Sequence, residues 1–473
     1  MKIPIGMKVS YLPRFVVVVI TVMCMPNPLI ADENRQVPER KRLEHGRVTR
    51  GVKDVEPEPF RDLMPAYRKV PDESNALPLV TEAVDKLENW PEMKNHMEAF
   101  QGNKAKWDRE LCGEFLQKNQ ESLKLLEQAL QRKWFQPKLV VDMSGEQPGL
   151  MKPLPVVRLI EILVLHELDQ NNVQAAIDQV RDGLKFAGMV MEADSGSVGF
   201  LVAVACYQAS FEMANRVIDH ADCKQEQLEQ LAQLLNQEAA VAERFKEALK
   251  FEFLGGVNLC HTFYKSLTGN DIKELAVFAE LGLKFGDKPA TAMQPNRSCR
   301  ILAESIRAAI KRADIPHLEW AMDFKERDDY KRELKKIIAR ENEQMGENPG
   351  ASSNAMGEEL LLEWSGPVEM QIRKVHQLRA SQALLLAKCA LKSHYLHHKA
   401  LPGSLDELVP VFMPAVPKDP YDGRNIRYSQ KQQRVWSIGP DLLDKGGLEK
   451  GAELRRWIDW DEPTIQLPFA NKQ

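Results

Sequence analysis

Hydrophobic positions recur at helical spacing over most of the chain. Leu228, Leu231, Leu235, Ala242, Phe245 and Leu249 line one face of an amphipathic stretch, and Val173, Ile177, Val180, Leu184 and Ala187 line another. Between them, Val198 to Cys206 is apolar on every side, as expected of a helix enclosed by others. No strand-rich block interrupts this pattern from about Pro65 to Gln344. Leu159 to Leu168, the polar turn Asp169-Gln170-Asn171-Asn172, and Val173 to Ala187 predict a helical hairpin, with Ala175 and Ala176 small enough to face back across it. A last long helix carries Ile372, Val375, Leu378, Leu385, Cys389 and Leu396, with Ala380, Leu384, Ala387 and Leu391 as a second stripe. So wide an apolar arc predicts packing on more than one side.

After that helix the periodicity changes. Ser404 with Glu407 three residues on is a capping box, in which hydroxyl and carboxylate each satisfy an orphan backbone donor, and Pro410 ends the turn that it starts. Pro414, Pro417 and Pro420 remove amide donors and predict an extended arm that cannot be a central strand. Asp422-Gly423 is a turn signal. Ile426 with Tyr428, then Trp436 with Ile438, have the period-two spacing of a hairpin. Stretches rich in Gly, Pro, Ser, Asn and Ala from Phe285 to Arg297 and from Gly346 to Gly357 break the helical text. The expected fold is mainly α. A helical-hairpin array spans 66–345, a flexible linker 346–365, and a long helix with a small α+β hairpin module 366–473.

The first residues read differently. Lys2, Lys8 and Arg14 flank an uncharged apolar run from Phe15 to Met25, Pro26-Asn27-Pro28 breaks it, and Leu29-Ile30-Ala31 offers a cleavage end. Residues 1–31 thus predict export, as a cleaved signal or an uncleaved membrane anchor; the run is short beside the roughly 20 residues of a membrane span. Residues 32–65 follow as a linker in which acids and bases alternate with few apolar residues between them. The whole chain has 473 residues, is 44% hydrophobic and has a formal net charge of −4, enough for a sizeable core and without the basic excess of a nucleic-acid binder.

Two resemblances rest on these segments. The helix–turn–helix over Leu159–Ala187 resembles a tetratricopeptide hairpin, although the full repeat is not regular. The order long helix, Ser404–Leu408, proline arm, hairpin and Ser437-Ile438-Gly439-Pro440-Asp441 resembles the periplasmic end of the major pseudopilin of type II secretion. With Glu73–Leu79 added, Asn75 to Leu443 is similar to a family of secreted bacterial helical proteins that has no assigned activity. The pseudopilin resemblance implies calcium in the loop after the last strand, with Asp441, Asp444 and Asp459 as ligands; hard oxygen donors on a glycine-containing loop suit that ion. Lys445, Leu442 and Leu443 depart from the pattern. So does the start of the chain, which has no prepilin-peptidase site and no acid in its apolar run, so polymerisation into a pilus is not implied.

Candidate chemistry is sparse. Beyond residue 31 the cysteines are Cys112, Cys206, Cys223, Cys260, Cys299 and Cys389, none in a CxxC pair; Cys223 and Cys299 are the best-placed loop partners for a single disulfide. His394, His397 and His398 share one helical face, which fits either a metal or hydrolytic site or a solvated helix end. His166-Glu167 lacks the second histidine of a zincin motif, and no nucleophile elbow, Walker loop or dinucleotide fingerprint occurs. The expected function is therefore an exported, non-enzymatic binding or scaffold protein of the cell envelope with a protein partner. The alternative is an exported hydrolase built around the three histidines.

Overall fold

The computed structural model describes residues 54–471, apart from 57, 59, 66–67, 102–103, 138–148, 237–240, 270–292, 314–315, 317–328, 348–351 and 448–461. The expected signal at 1–31 and most of the charged linker lie outside the described residues. The fold is mainly helical. Four short helices come first: α1 (Leu77–Asp85), α2 (Trp90–Gln101), α3 (Arg109–Lys118) and α4 (Gln120–Leu130). A hairpin and a core helix follow as α5 (Pro153–Asp169), α6 (Val173–Met191) and α7 (Gly196–Asp219). Next come α8 (Gln225–Asn236), α9 (Val241–Gly269), α10 (Pro295–Arg312) and α11 (Asp329–Gln344), and the long α12 (Ala355–His398) closes the helical part.

Periodicity accounts for the centre of the molecule. The apolar stretch at Val198–Cys206 lies in α7, which packs against α5, α6, α9 and α12 and is buried except along one stripe, where Val198, Leu201 and Ala205 are half-buried. Among the described residues α7 alone is long and apolar enough to cross a membrane, and it lies mostly inside the protein. Gly183 lets α6 approach it, because an added Cβ would meet Ser210 Oγ at 2.9 Å and Met213 Cε at 3.3 Å. Both expected stripes of α12 are buried except Leu396, which is half-buried; they face α7, α8, α9, α10 and α11 as well as the terminal sheet. Burying one such leucine contributes about 1.5–3 kcal/mol, whereas an exposed pair such as Lys86–Glu82 is screened by solvent. Apolar burial therefore decides the helical arrangement.

Residues expected to form a flexible linker behave differently: α12 already begins at Ala355, and Leu360 and Leu361 are buried. Their stripe continues that of the helix behind them, which the nearby glycines disguise. Arg297, fully enclosed, stitches this region together. It donates to Glu347 at 2.9 Å, to Ser353 and Gln294 at 3.1 Å, and to Asn342 at 2.5 Å.

Beyond α12 the capping box at Ser404 and Glu407 is present, and the Glu407 carboxylate accepts from the Ser404 and Gly403 amides at 3.2 Å. Strands β1 (Arg427–Ser429) and β2 (Arg434–Trp436) form the expected hairpin, with Tyr428 opposite Val435. A further strand, β3 (Thr464–Gln466), pairs antiparallel with β2, giving the order β1-β2-β3.

Candidate binding cleft

Two interhelical turns and the end of α12 meet at one end of the helical body. In the α5–α6 turn, Asn171 adopts φ +61°, a left-handed conformation that asparagine tolerates, and the Asn172 amide donates to Glu167 O at 2.8 Å. The α7–α8 turn closes through Cys223 N on His220 O at 3.2 Å, and the Gln227 side chain accepts from Lys224 N at 2.9 Å. Gln174 on α6 reaches Gln230 on α8 at 3.1 Å, which fixes the spacing of the two turns.

Between these turns lies a cleft of about 870 Å³, bordered by Asn171, Asn172, Val173, Gln174, Asp222, Cys223, Lys224, Gln225, Gln227, Leu396 and His397. Its floor is apolar, with Val173 and Cys223 buried, and its walls carry amide side chains. Buried lysines of α12 hold the floor in place. Lys388 pairs with Asp219 at 2.6 Å and Asn215 at 2.7 Å, while Lys392 donates to Ile218 O and, at 2.7 Å, to His220 O. Both carbonyls lie at the C-terminal end of α7, where a cation is favoured by the helix dipole. Loss of solvation lowers the Lys392 pKa below its usual 10.5.

The cleft holds no activated nucleophile. Burial pushes the Cys223 thiol up to about 11, so it remains protonated at neutral pH. Of the three histidines, only His397 borders the cleft. His394 and His398 stack with ring centroids 4.2 Å apart, and Phe412 packs edge-on against both. His394 Nδ1 bonds Ala400 O at 2.9 Å and His398 Nδ1 bonds His394 O at 3.3 Å, so both Nδ1 atoms carry the proton. The helix does bring the triplet together as its spacing predicts, but as a capped helix end on which His397 and His398 are exposed to solvent. Among the described residues no group of three or more His, Cys, Asp or Glu side chains is arranged to hold a metal.

The terminal loop has internal cations. Asp441 accepts from Lys445 Nζ at 2.6 Å, and Asp444 accepts from the Trp436 indole at 3.0 Å with Arg427 Nε 3.7 Å away. The structure thus gives Asp441 and Asp444 separate partners; Asp459 lies outside the described residues. A fully enclosed carboxylate here is one that spacing did not single out. Asp419 has no exposed surface and accepts from Tyr421 N at 3.0 Å, Ile438 N at 2.8 Å, Ser437 Oγ at 2.9 Å and Arg427 at 2.5 Å. Burial raises its pKa above the usual 3.8, and those donors and the guanidinium oppose the rise. Arg427 also clasps Asp422. Glu462 is likewise enclosed and accepts from Gly447 N at 3.0 Å and from Lys445 N.

The disulfide expected between Cys223 and Cys299 is absent, and all six described cysteines are free and buried. Cys299 Sγ lies 4.0 Å from His261 Nε2, and Cys223 Sγ donates to Lys224 O at 3.9 Å. Of the cleft's borders the sequence singled out only the polar turn Asp169–Asn172, and nothing in it placed that turn beside Lys224–Gln227. No protein-family model, no curated protein and no solved structure matches the chain.

Proposed function

We propose that this chain is an exported, non-enzymatic binding protein whose helical hairpins hold an extended polypeptide segment of a partner. The observation that carries this reading is the cleft, where Asn171, Asn172, Gln174, Gln225 and Gln227 border open space above an apolar floor. Carboxamides donate and accept at once, which matches the alternating N–H and C=O groups of an extended backbone. The floor can take one apolar side chain of the guest. The protonated Cys223 thiol and the packed histidines favour binding over hydrolysis.

Export is supported by the charged flank and apolar run of residues 1–31, which would also supply a membrane anchor if retained. The α5–α6 hairpin is in keeping with a tetratricopeptide-like arrangement. The end of α12 with its three-stranded sheet is in keeping with a pseudopilin-like module of an envelope assembly. In that module Lys445 pairs with Asp441 and Arg427 lies beside Asp444, two of the carboxylates that the resemblance would give to calcium.

Random peptides displayed on phage, selected on the full chain, test the reading. Selected peptides should lose about tenfold in affinity for Gln227→Ala and again for Asn172→Ala, since each lost hydrogen bond is worth about 1 kcal/mol or more. Peptides that bind both variants as tightly as the wild type, or a selection that yields none, would count against the cleft as a peptide site.

A further inference from the structure

The end of the charged linker is docked on α9 and α10. Asp54 accepts from Asn296 N at 2.8 Å and from Arg297 N at 3.3 Å at the start of α10, and Asn296 Nδ2 donates to Val55 O at 2.9 Å. Further on, Asp62 takes both arms of Arg307, Nε at 2.7 Å and Nη2 at 2.8 Å. Asn296 and Arg307 lie about 16 Å apart on a helix rising about 1.5 Å per residue, so this strap runs along α10. Beside Asp62, Phe60 sets its ring edge-on to Phe253 of α9 with centroids 5.2 Å apart, and Leu63 is buried in the core. Arg68 pins the far end: its amide donates to Asp194 at 2.7 Å and its guanidinium lies 3.8 Å from the centre of the Trp134 ring.

We propose that the groove along α9 and α10 is a further peptide-docking surface, closed by the chain's own strap, which takes an extended acidic segment of a partner protein when the strap lifts. The strap shows what such a guest needs. One acid caps the amides at the start of α10, where the helix dipole favours negative charge, and the Asn296 carboxamide holds a backbone carbonyl. An aromatic ring and a leucine fill the apolar floor at Phe253, and a second acid meets the fork of Arg307. Pro57 and Pro59 fix φ, so a free segment of this sequence is already extended and loses little freedom on docking. The strap's own hold is slight. Among its described residues from Asp54 to Met64 only Leu63 is buried, and the Asp62–Arg307 pair sits at the surface, screened by solvent. Phe60 has φ +32°, a left-handed conformation in which a bulky side chain crowds its own backbone and which release relieves. A segment held in this way opens locally while the helices beneath it stay folded.

None of these residues borders the cleft, so failure here leaves the cleft reading untouched. In the wild-type full chain, amide hydrogen exchange should show Leu63, Asn296 and Arg297 opening together and faster than Ala303 in the middle of α10. A fluorescent peptide with the sequence of residues 53–65 should fail to bind the wild type. It should bind saturably to the full chain carrying Phe60→Ala and Leu63→Ala, in which the strap is loosened and the groove is intact. Adding Arg307→Glu to that chain should weaken the peptide about tenfold, and a peptide carrying Asp62→Arg should regain the loss. Protection of Leu63, Asn296 and Arg297 equal to that of Ala303 would overturn the proposal, whatever the variants do. So would a peptide that ignores the loosened chain while its circular dichroism matches the wild type, or one that binds the wild type equally well. A wild-type dimer that the two alanines dissolve would put a second copy's strap in the groove and would overturn it likewise.

Discussion

Replacing Arg427 by Met tests whether the terminal module is built on its buried Asp419. The substitution keeps the aliphatic stem and removes the guanidinium that binds Asp419 and Asp422. Breaking a buried pair by deleting one partner costs about 3–5 kcal/mol. The three other donors, Tyr421 N, Ile438 N and Ser437 Oγ, remain and hold the figure near the lower end. A ceiling follows from proton uptake. Neutralising a carboxyl of ordinary pKa 3.8 at pH 7 costs about 4 kcal/mol, so Asp419 would take a proton before the defect exceeded that. The expected loss is about 3 kcal/mol, roughly a hundredfold in the local opening equilibrium. Amide hydrogen exchange at Tyr421 and Ile438 reads it directly, because both N–H groups donate to Asp419. Their exchange should quicken roughly a hundredfold at pH 7 while amides of α5 are unaffected. The effect should shrink as pH falls, since Asp419 in the variant has a raised folded-state pKa and is stabilised by protonation below it. Unchanged exchange at these two amides would refute the reasoning. Costs of Asp419→Asn and Arg427→Met that simply add would do the same, because groups in contact should couple by about 1 kcal/mol or more.

Glu252 accepts from Ser197 N at 3.1 Å, and burial raises its pKa above 4.5 against the pull of the Ser197 hydrogen bonds. The folded protein therefore binds this proton more tightly than the unfolded chain, and stability falls as pH rises from about 4.5 through the folded-state value. Glu252→Gln should accordingly melt above the wild type at pH 7 and converge with it near pH 4.5; a variant less stable at neutral pH would contradict this. Arg297→Met strands Glu347, Asn342 and Ser353 and should cost about 3–5 kcal/mol in thermal unfolding; a cost below about 1 kcal/mol would show that Arg297 does not tie this corner together. Calcium should leave the melting of the full chain unchanged, because Asp441 is paired with Lys445 and Asp444 with Trp436. A calcium-dependent rise that disappears in Asp441→Asn would instead make that loop a cation site.

Helical text was legible because burial and periodicity coincide in it. The stripes of α6, α8 and α12 were readable from leucine and valine spacing, and the capping box and turn residues placed the hairpin of β1 and β2 correctly. Strand β3 was missed because Pro463 and Pro468 flank the short alternation of Ile465 and Leu467, and prolines so placed argue against a paired strand. The enclosed charges escaped notice for a physical reason. A lysine or arginine in a helical pattern normally marks the solvated face, yet Lys388, Lys392 and Arg297 point inward to satisfy helix ends and carboxamides. Asp419 stood in an arm read as extended, and its donors come from residues up to 19 positions away. The cleft was out of reach altogether, because its borders come from three separated stretches that only the packing of α12 on α7 and α8 brings together.

The central claim is that the cleft between the α5–α6 and α7–α8 turns is where a partner polypeptide sits. It is tested most directly by a photo-crosslinking amino acid placed at Gln227 in the full chain inside living cells, with Glu114 on α3, which does not border the cleft, as the control position. The account predicts one discrete protein adduct from Gln227, lost when Asn172→Lys is added, and none from Glu114. Adducts of equal yield from both positions, or an adduct at Gln227 that survives Asn172→Lys, would contradict it.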